Sequence, residues 1–211
     1  MTKIPDRTIE RLITYRRLLQ KQAVEGVISI YSHDLATLAH VKPVQVRRDL
    51  MEIGFSGSPS KGYGVQGLLD YISGILDMPG GTKAALVGAG NLGRALLSYF
   101  NGRSSTINVV AAFDVDTNII GRVIAGCRCY DIQELGARAK EFGITIGIVT
   151  VPATQAQSAA DALVEAGVTG ILNFAPVPLR IRPDVYIVQV DITRALEKVA
   201  HFAKPQSAKE V

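Results

Sequence analysis

A helical first third followed by regular strand–helix alternation predicts an α/β fold in two domains: a winged helix-turn-helix, then a doubly wound parallel sheet. Three observations carry this reading. From Lys83 onward, brief and nearly continuous apolar runs alternate with amphipathic segments, as strands covered on both faces by helices do. A glycine-rich turn, Gly88-Ala89-Gly90-Asn91-Leu92-Gly93, joins the first apolar run to the helical pattern after it. Residues 1–66 hold ten Lys/Arg and six Asp/Glu, while the rest of the chain is formally neutral, so the entire net charge of +4 lies in that first third.

Asp6 to Glu25 reads as the first helix. Pro5 suits its first turn and Gly26 ends it. Ile9, Leu12, Ile13, Arg16, Leu19 and Ala23 recur at spacings of three or four, with Arg7, Arg11, Arg17 and Lys21 outside that stripe. Val27 to Tyr31 fits a short edge strand. Ser32 then caps a second helix, His33 to Ala39, with Leu35 and Leu38 inward. After His40-Val41-Lys42, a third helix from Pro43 to Ile53 turns Val46, Leu50 and Ile53 inward. Gln45, Arg47, Arg48 and Met51 are left partly or wholly outside.

Two short helices joined by three residues make a helix-turn-helix, and Gln45, Arg47 and Arg48 are residue types that hydrogen-bond base edges and phosphates. Gly54 to Gly64, with Pro59, Lys61 and Tyr63 among its four glycines, has the composition of a β-hairpin wing. Singly, these features also describe ordinary helical domains and linkers. Together with a positive lobe, which suits a phosphate backbone, they point to duplex DNA. Asp70 and Asp77 reduce the lobe to +2, so the charge is a local patch. Val65 to Asp77 reads as a fourth helix and Met78-Pro79-Gly80-Gly81 as a linker. The expected divisions are therefore 1–78, 79–190, and a C-terminal helix and tail over 191–211.

In the second domain Ala84-Ala85-Leu86-Val87 is a buried strand, and Arg94 to Phe100 continues as a helix. G-x-G-x-x-G in that context signals a Rossmann-type dinucleotide fold. Gly88 permits the tight turn, Gly90 lets backbone approach a pyrophosphate, and Gly93 lets helix and strand pack. Ala89, Asn91 and Leu92 complete a cradle at the helix N-terminus, whose free N–H groups face the anion. A second apolar run, Val109 to Phe113, ends at Asp114, 21 residues past the last glycine, where an acid holds ribose hydroxyls. A carboxylate there repels a 2′-phosphate and so favours NAD over NADP; Asp116 is the alternative acid.

Beyond it, Asp131 with Glu134 and Thr154 with Gln157 fit capping boxes for two helices. Ile144 to Val151, Gly170 to Phe174 and Val185 to Val190 read as strands. Asp191 to Ala203 is a final helix with Ile192, Leu196, Val199 and Phe202 apolar, and Lys204 to Val211 reads as a disordered tail.

Several classes are disfavoured. No uninterrupted apolar stretch approaches about 18 residues, and residues 1–10 lack a signal-peptide core, so a cytoplasmic protein without membrane contact is expected. Cys127 and Cys129, the only cysteines, are too few for a zinc site and read as reduced strand residues; no metal is expected. No catalytic residue is identified. His33 and His40 lie in the helix-turn-helix, His201 lies in the last helix, and no tyrosine is followed four residues later by lysine. The rival readings are a small NAD-dependent oxidoreductase or CoA-binding subunit, and a module whose winged helix docks protein.

Gln45-Val46-Arg47-Arg48-Asp49-Leu50, Gly62-Tyr63, Gly88 to Gly93 with Arg94-Ala95-Leu96, Phe113-Asp114-Val115-Asp116, Val151-Pro152 and Ile171-Leu172-Asn173-Phe174-Ala175-Pro176 occur in order over nearly all of 1–203. Together they resemble the Rex family, bacterial repressors that sense the NADH/NAD balance. The resemblance implies a homodimer on a pseudo-palindromic operator, NAD and NADH as ligands, release of DNA by NADH, and a C-terminal helix exchanged between subunits. It assigns Arg47 and Arg48, with Lys61 and Tyr63 of the wing, to DNA. Tyr99, Val151, Pro152, Asn173 and Phe174 go to the cofactor, and Asp191 and Ile192 to coupling between subunits. Arg48 stands where lysine is common, Lys42 where Ser or Thr usually precedes the helix, and Ile192 where an aromatic is common. Pro59 and Lys61 stand where the wing usually has an arginine.

Overall fold

Near-continuous burial along the central strands and three-to-four spacing along helices organise three buried clusters in a computed structural model of the chain, described for residues 4–58, 60–100 and 106–203. The chain divides into two compact units, Met1–Pro79 and Gly80–Val211. Pro59 and the tail Lys204 to Val211, on which expectations were placed above, lie outside the described residues.

The first unit consists of α1 (Asp6–Val24), β1 (Ser29–Ile30), α2 (Ser32–Leu38), α3 (Pro43–Glu52), β2 (Tyr63–Gly64) and α4 (Val65–Leu76). Its core joins Leu12, Leu19, Leu35, Val46, Leu50, Leu68 and Ile72. The stripe of α1 is rotated from the expected one. Thr8, Leu12, Tyr15 and Leu19 are buried, whereas Ile9 and Ile13 are half-buried and Arg16 pairs with Asp77 past the end of α4. The rotation follows from Tyr15, whose hydroxyl finds a buried acceptor on α3 and so can go inside.

Leu38, expected inward, is exposed, and Ala36 is buried in its place. Helix α2 closes in a left-handed turn at His40 (φ 53), with the Val41 N–H returning to the Ala36 carbonyl at 3.0 Å. The Gly54 to Gly64 segment forms less strand than a full wing. Only Tyr63–Gly64 pairs, antiparallel to Ser29–Ile30, and a Ser58–Gly62 bridge closes the tip. Gly62 is obligatory there: its φ is +70° and an added Cβ would sit 2.6 Å from the Ile30 carbonyl oxygen.

The second unit runs β3 (Thr82–Val87), α5 (Asn91–Phe100), β4 (Ile107–Asp114), β5 (Val123–Ile124), β6 (Cys127–Asp131), a 3-10 turn (Ile132–Glu134), α6 (Leu135–Phe142), β7 (Ile146–Val149), α7 (Ala153–Glu165), β8 (Gly170–Asn173), β9 (Tyr186–Gln189) and α8 (Ile192–Phe202). The sheet order is β5-β6-β4-β3-β7-β8-β9. All neighbours are parallel except β5, which pairs antiparallel with β6 at the rim; the expected sheet was parallel throughout. A two-residue strand has no periodicity to read. Successive β3 residues face opposite cores. Ala85 and Val87 join Phe113, Val149 and Leu163, while Ala84 and Leu86 join Leu97, Ala112, Cys129 and Ile148.

Neither expected capping box forms. Asp131 accepts from the Gln133 N–H at 2.9 Å and caps the 3-10 turn, which delays α6 to Leu135, and Glu134 is drawn to Arg138 instead. Helix α7 starts directly after Pro152, whose side chain cannot cap it, so Thr154 falls inside the helix, and Gln157 is held by Asp161 and the Arg180 carbonyl.

Candidate functional site

Because β4 and β7 leave β3 on opposite sides, a crevice opens beyond the strand ends, where ligands bind in such sheets. The glycine-rich turn lies at this point. Gly88 is left-handed (φ +98) and an added Cβ would sit 2.7 Å from Val151 Cγ1. At Gly93 a Cβ would collide with the Gly88 carbonyl oxygen, so these two glycines hold strand and helix together. Gly90 differs: nothing lies within 4 Å of its Cβ position. It faces open space at the N-terminus of α5, the kind of cradle a pyrophosphate occupies. Asn91 and Leu92 are exposed beside it.

Asp114 ends β4, and its carboxylate accepts the Ala89 N–H at 2.6 Å together with the N–H groups of Val115 and Asp116. The acid is thus tied to the glycine turn, and Arg94 braces the same turn by donating to the Ala89 carbonyl at 3.0 Å. Asp116 points elsewhere, its carboxylate accepting from Asn118, whose hydrogen bonds hold it below the usual carboxylate range. A cavity of about 390 Å³ joins Gly88, Gly90, Asp114, Val151 and Pro152. Val115, of the Phe113-to-Asp116 motif, also lines it, as do Ile132, Thr150, Gln155 and Ser158, which carried no motif. What marks them is position: Val115, Ile132 and Thr150 directly follow β4, β6 and β7, and Gln155 and Ser158 lie on α7 beyond β7.

Three residues assigned to the cofactor by resemblance are not in this cavity. Asn173 is buried, its amide donating to Gln189 Oε1 at 2.6 Å and to the Val177 carbonyl while its oxygen accepts from Ala175 N–H; it fastens β8 to the chain after it. Phe174 packs against the core on the α5 side of the sheet, and Tyr99 lies exposed on α5 with its ring against Phe100. Cys127 and Cys129 are both buried, and burial pushes each thiol up to about 11, which keeps them protonated and inert.

In the first unit, α3 presents Arg47 and Arg48 to solvent, with Arg47 donating to Ser32 Oγ at 3.0 Å. Gln45, expected to read bases, instead donates its amide to Asp49 Oδ1 at 2.7 Å. Lys61 is exposed at the wing turn. Tyr63 is half-buried, with its ring against Phe55 and beneath Gly57, and so supports the wing from within. Asp49 itself is buried and receives Arg11 at 2.6 and 2.7 Å and the Tyr15 hydroxyl at 2.8 Å. Burial alone would raise its carboxyl, but the hydrogen bonds from Arg11, Gln45 and Tyr15 hold it below the usual range. The cluster clamps α3 to α1.

Asp191 caps α8, accepting the Arg194 N–H at 2.8 Å, and Ile192 follows it, exposed. Among the described residues no cluster of three or more His, Cys, Asp or Glu is placed to hold a metal, and no helix is long and apolar enough to cross a membrane.

Comparison with known proteins bears on both units. A family model described as a putative DNA-binding protein N-terminus matches residues 3–50, and one described as a CoA binding domain matches residues 80–177. The redox-sensing transcriptional repressor Rex of Lactobacillus acidophilus is 39% identical over 95% of this chain and 95% of its own length. That of Desulforamulus reducens is 39% identical over 92% and 93%. This chain belongs to the Rex family.

Among solved structures, the Rex-family repressor RSP in complex with NAD+ and operator DNA superposes with a TM-score of 0.89 at 31% identity, covering 96% of this chain and 93% of RSP. RSP in complex with NADH superposes with 0.81, covering 96% and 95%. The curated Rex relatives are named as transcriptional repressors.

Proposed function

We propose that this chain is a cytoplasmic repressor that binds operator DNA as a homodimer and releases it when NADH occupies the second domain. The observation that carries the proposal is the pairing, in one Rex-family chain, of an exposed basic α3 with a glycine cradle and terminal acid at the sheet switch point. Gly90 is open to a pyrophosphate, Asp114 stands where ribose hydroxyls are held, and Val115, Ile132, Val151 and Pro152 form apolar walls suited to an adenine ring. The same acid disfavours coenzyme A, whose ribose carries a 3′-phosphate that a carboxylate repels.

What bound nicotinamide supplies is a difference in charge: the oxidised ring is cationic and the reduced ring neutral. A switch requires differential affinity between two conformations. An apolar cleft between the second domains of two subunits favours the neutral ring, since burying an unpaired charge is costly, and a thousandfold preference takes about 4 kcal/mol. The exposed apolar stripe of α8, with Ile192, Leu196, Val199 and Phe202, supplies a surface for the second copy. Closing the paired domains would carry the two α3 helices out of step with half-sites separated by about one turn or a multiple.

An electrophoretic titration of the full chain on a selected duplex tests this. NADH at micromolar concentration should release the DNA while NAD leaves it bound. Equal behaviour of the two nucleotides would reject the proposal.

A further inference from the structure

The outer face of α3 is not uniformly basic. Roughly 100° of turn per residue sets Val44 and Met51 within about 20° of each other and about opposite the buried stripe of Val46, Asp49 and Leu50. Arg47 and Arg48 then flank them, one on each side. Exposure agrees with this placement: Val44 is 57% and Met51 76% exposed, at the crest of the helix. Gln45 lies off the crest with its amide spent on Asp49, so the only amide of the helix is withdrawn from reading bases. The crest is therefore two cations around two apolar side chains, with the exposed Glu52 to one side, its carboxylate accepting from the Thr8 hydroxyl at 3.0 Å.

We infer that Val44 and Met51 read the 5-methyl groups of thymines in the operator, and so set which base pairs this chain prefers. The inference rests on the DNA-binding reading above. The cations on both flanks fit a polyanion, and in the major groove the apolar group a duplex presents is the thymine methyl, which apolar side chains distinguish from cytosine. Arg47 and Arg48 position the helix or take guanine edges, while Val44 and Met51 discriminate without a hydrogen bond. The Arg11–Asp49–Tyr15 clamp keeps the crest pointing outward by fastening the opposite side of α3 to α1.

Replacing thymine by uracil deletes the methyl and leaves every hydrogen bond in place. The full-length protein is first used to enrich a duplex from a random pool, and that duplex is then remade with dU at each dT in turn. Wild type should lose about fourfold in affinity for each methyl that is read. The double variant Val44→Ala, Met51→Ala should bind dT and dU duplexes alike, whereas Arg47→Ala should weaken both while keeping the difference between them. Equal binding of dT and dU duplexes by wild type overturns the inference and leaves the DNA-binding reading standing. Persistence of the difference in the double variant overturns it too. Enrichment of no sequence at all would instead reject DNA binding, and this inference with it.

Discussion

Gly90 and Gly93 are both glycines of one motif, yet they do different work. Gly93 is packed against the Gly88 carbonyl, so Gly93→Ala forces strand and helix apart and should destabilise the second unit by about 1–3 kcal/mol. Nothing lies within 4 Å of the Gly90 Cβ position, and its φ is not left-handed, so Gly90→Ala should leave the melting temperature near that of wild type. Under the proposed function the same methyl stands where a pyrophosphate approaches, and nucleotide affinity measured by calorimetric titration should fall. A Gly90→Ala protein that melts normally and still binds NADH as wild type does would show that the cradle lies elsewhere. Gln45 and Tyr63 teach the complementary lesson. Residue type suggested a DNA contact for Gln45 and the family resemblance one for Tyr63, but the first is held by Asp49 and the second supports the wing. Residue type names a capacity, and the partner within reach decides how it is used.

At the scale of elements, α8 stands apart. Its apolar residues repeat at the spacing of one helix face and all are exposed, Phe202 at 76%, while Asp191 gives it a firm start. Such a face in water needs a cover, and the proposed homodimer provides one. Leu196→Asp combined with Val199→Asp should yield a monomer by light scattering, with operator affinity and the preference for NADH over NAD both lost; an unaltered dimer would exclude α8 from the interface. The stripe was legible because it follows a single local period. Strands β3 and β4 were legible for a related reason, since parallel strands covered on both faces require uninterrupted apolar runs. Capping was not: Glu134 and Gln157 met competing partners, Arg138 and the Arg180 carbonyl, that local spacing could not reveal. The burial of Tyr15 and Asp49, 34 residues apart, depends on each other and on Arg11, so no window along the chain contains the cause.

Across the whole molecule, the first unit holds a buried cluster of its own, distinct from those of the second. The buried carboxylate of the first unit makes that separation measurable. Asp49 is held below the usual carboxylate range, so its contribution is fully present above an unfolded value of about 4 and is lost as pH falls through the lower folded value. The first unit should therefore lose stability toward urea between pH 5 and pH 3, by helical circular dichroism, more steeply in wild type than in Asp49→Asn. That variant should already be weakened at pH 7 by about 3 kcal/mol, because Arg11 loses its counter-charge and one of the two oxygens that accept from Arg11 and Tyr15 becomes an amide donor. Parallel acid profiles in the two proteins would assign the acid sensitivity to other groups.

The rim strand β5 carries a last consequence. Sheets with bare sides invite foreign chains to add on, and a stub of two residues running the opposite way, with Gly126 behind it, offers almost no backbone to copy. Brevity disfavours recruitment along that flank, so within this sheet crowding or overproduction should favour association from the β9 side.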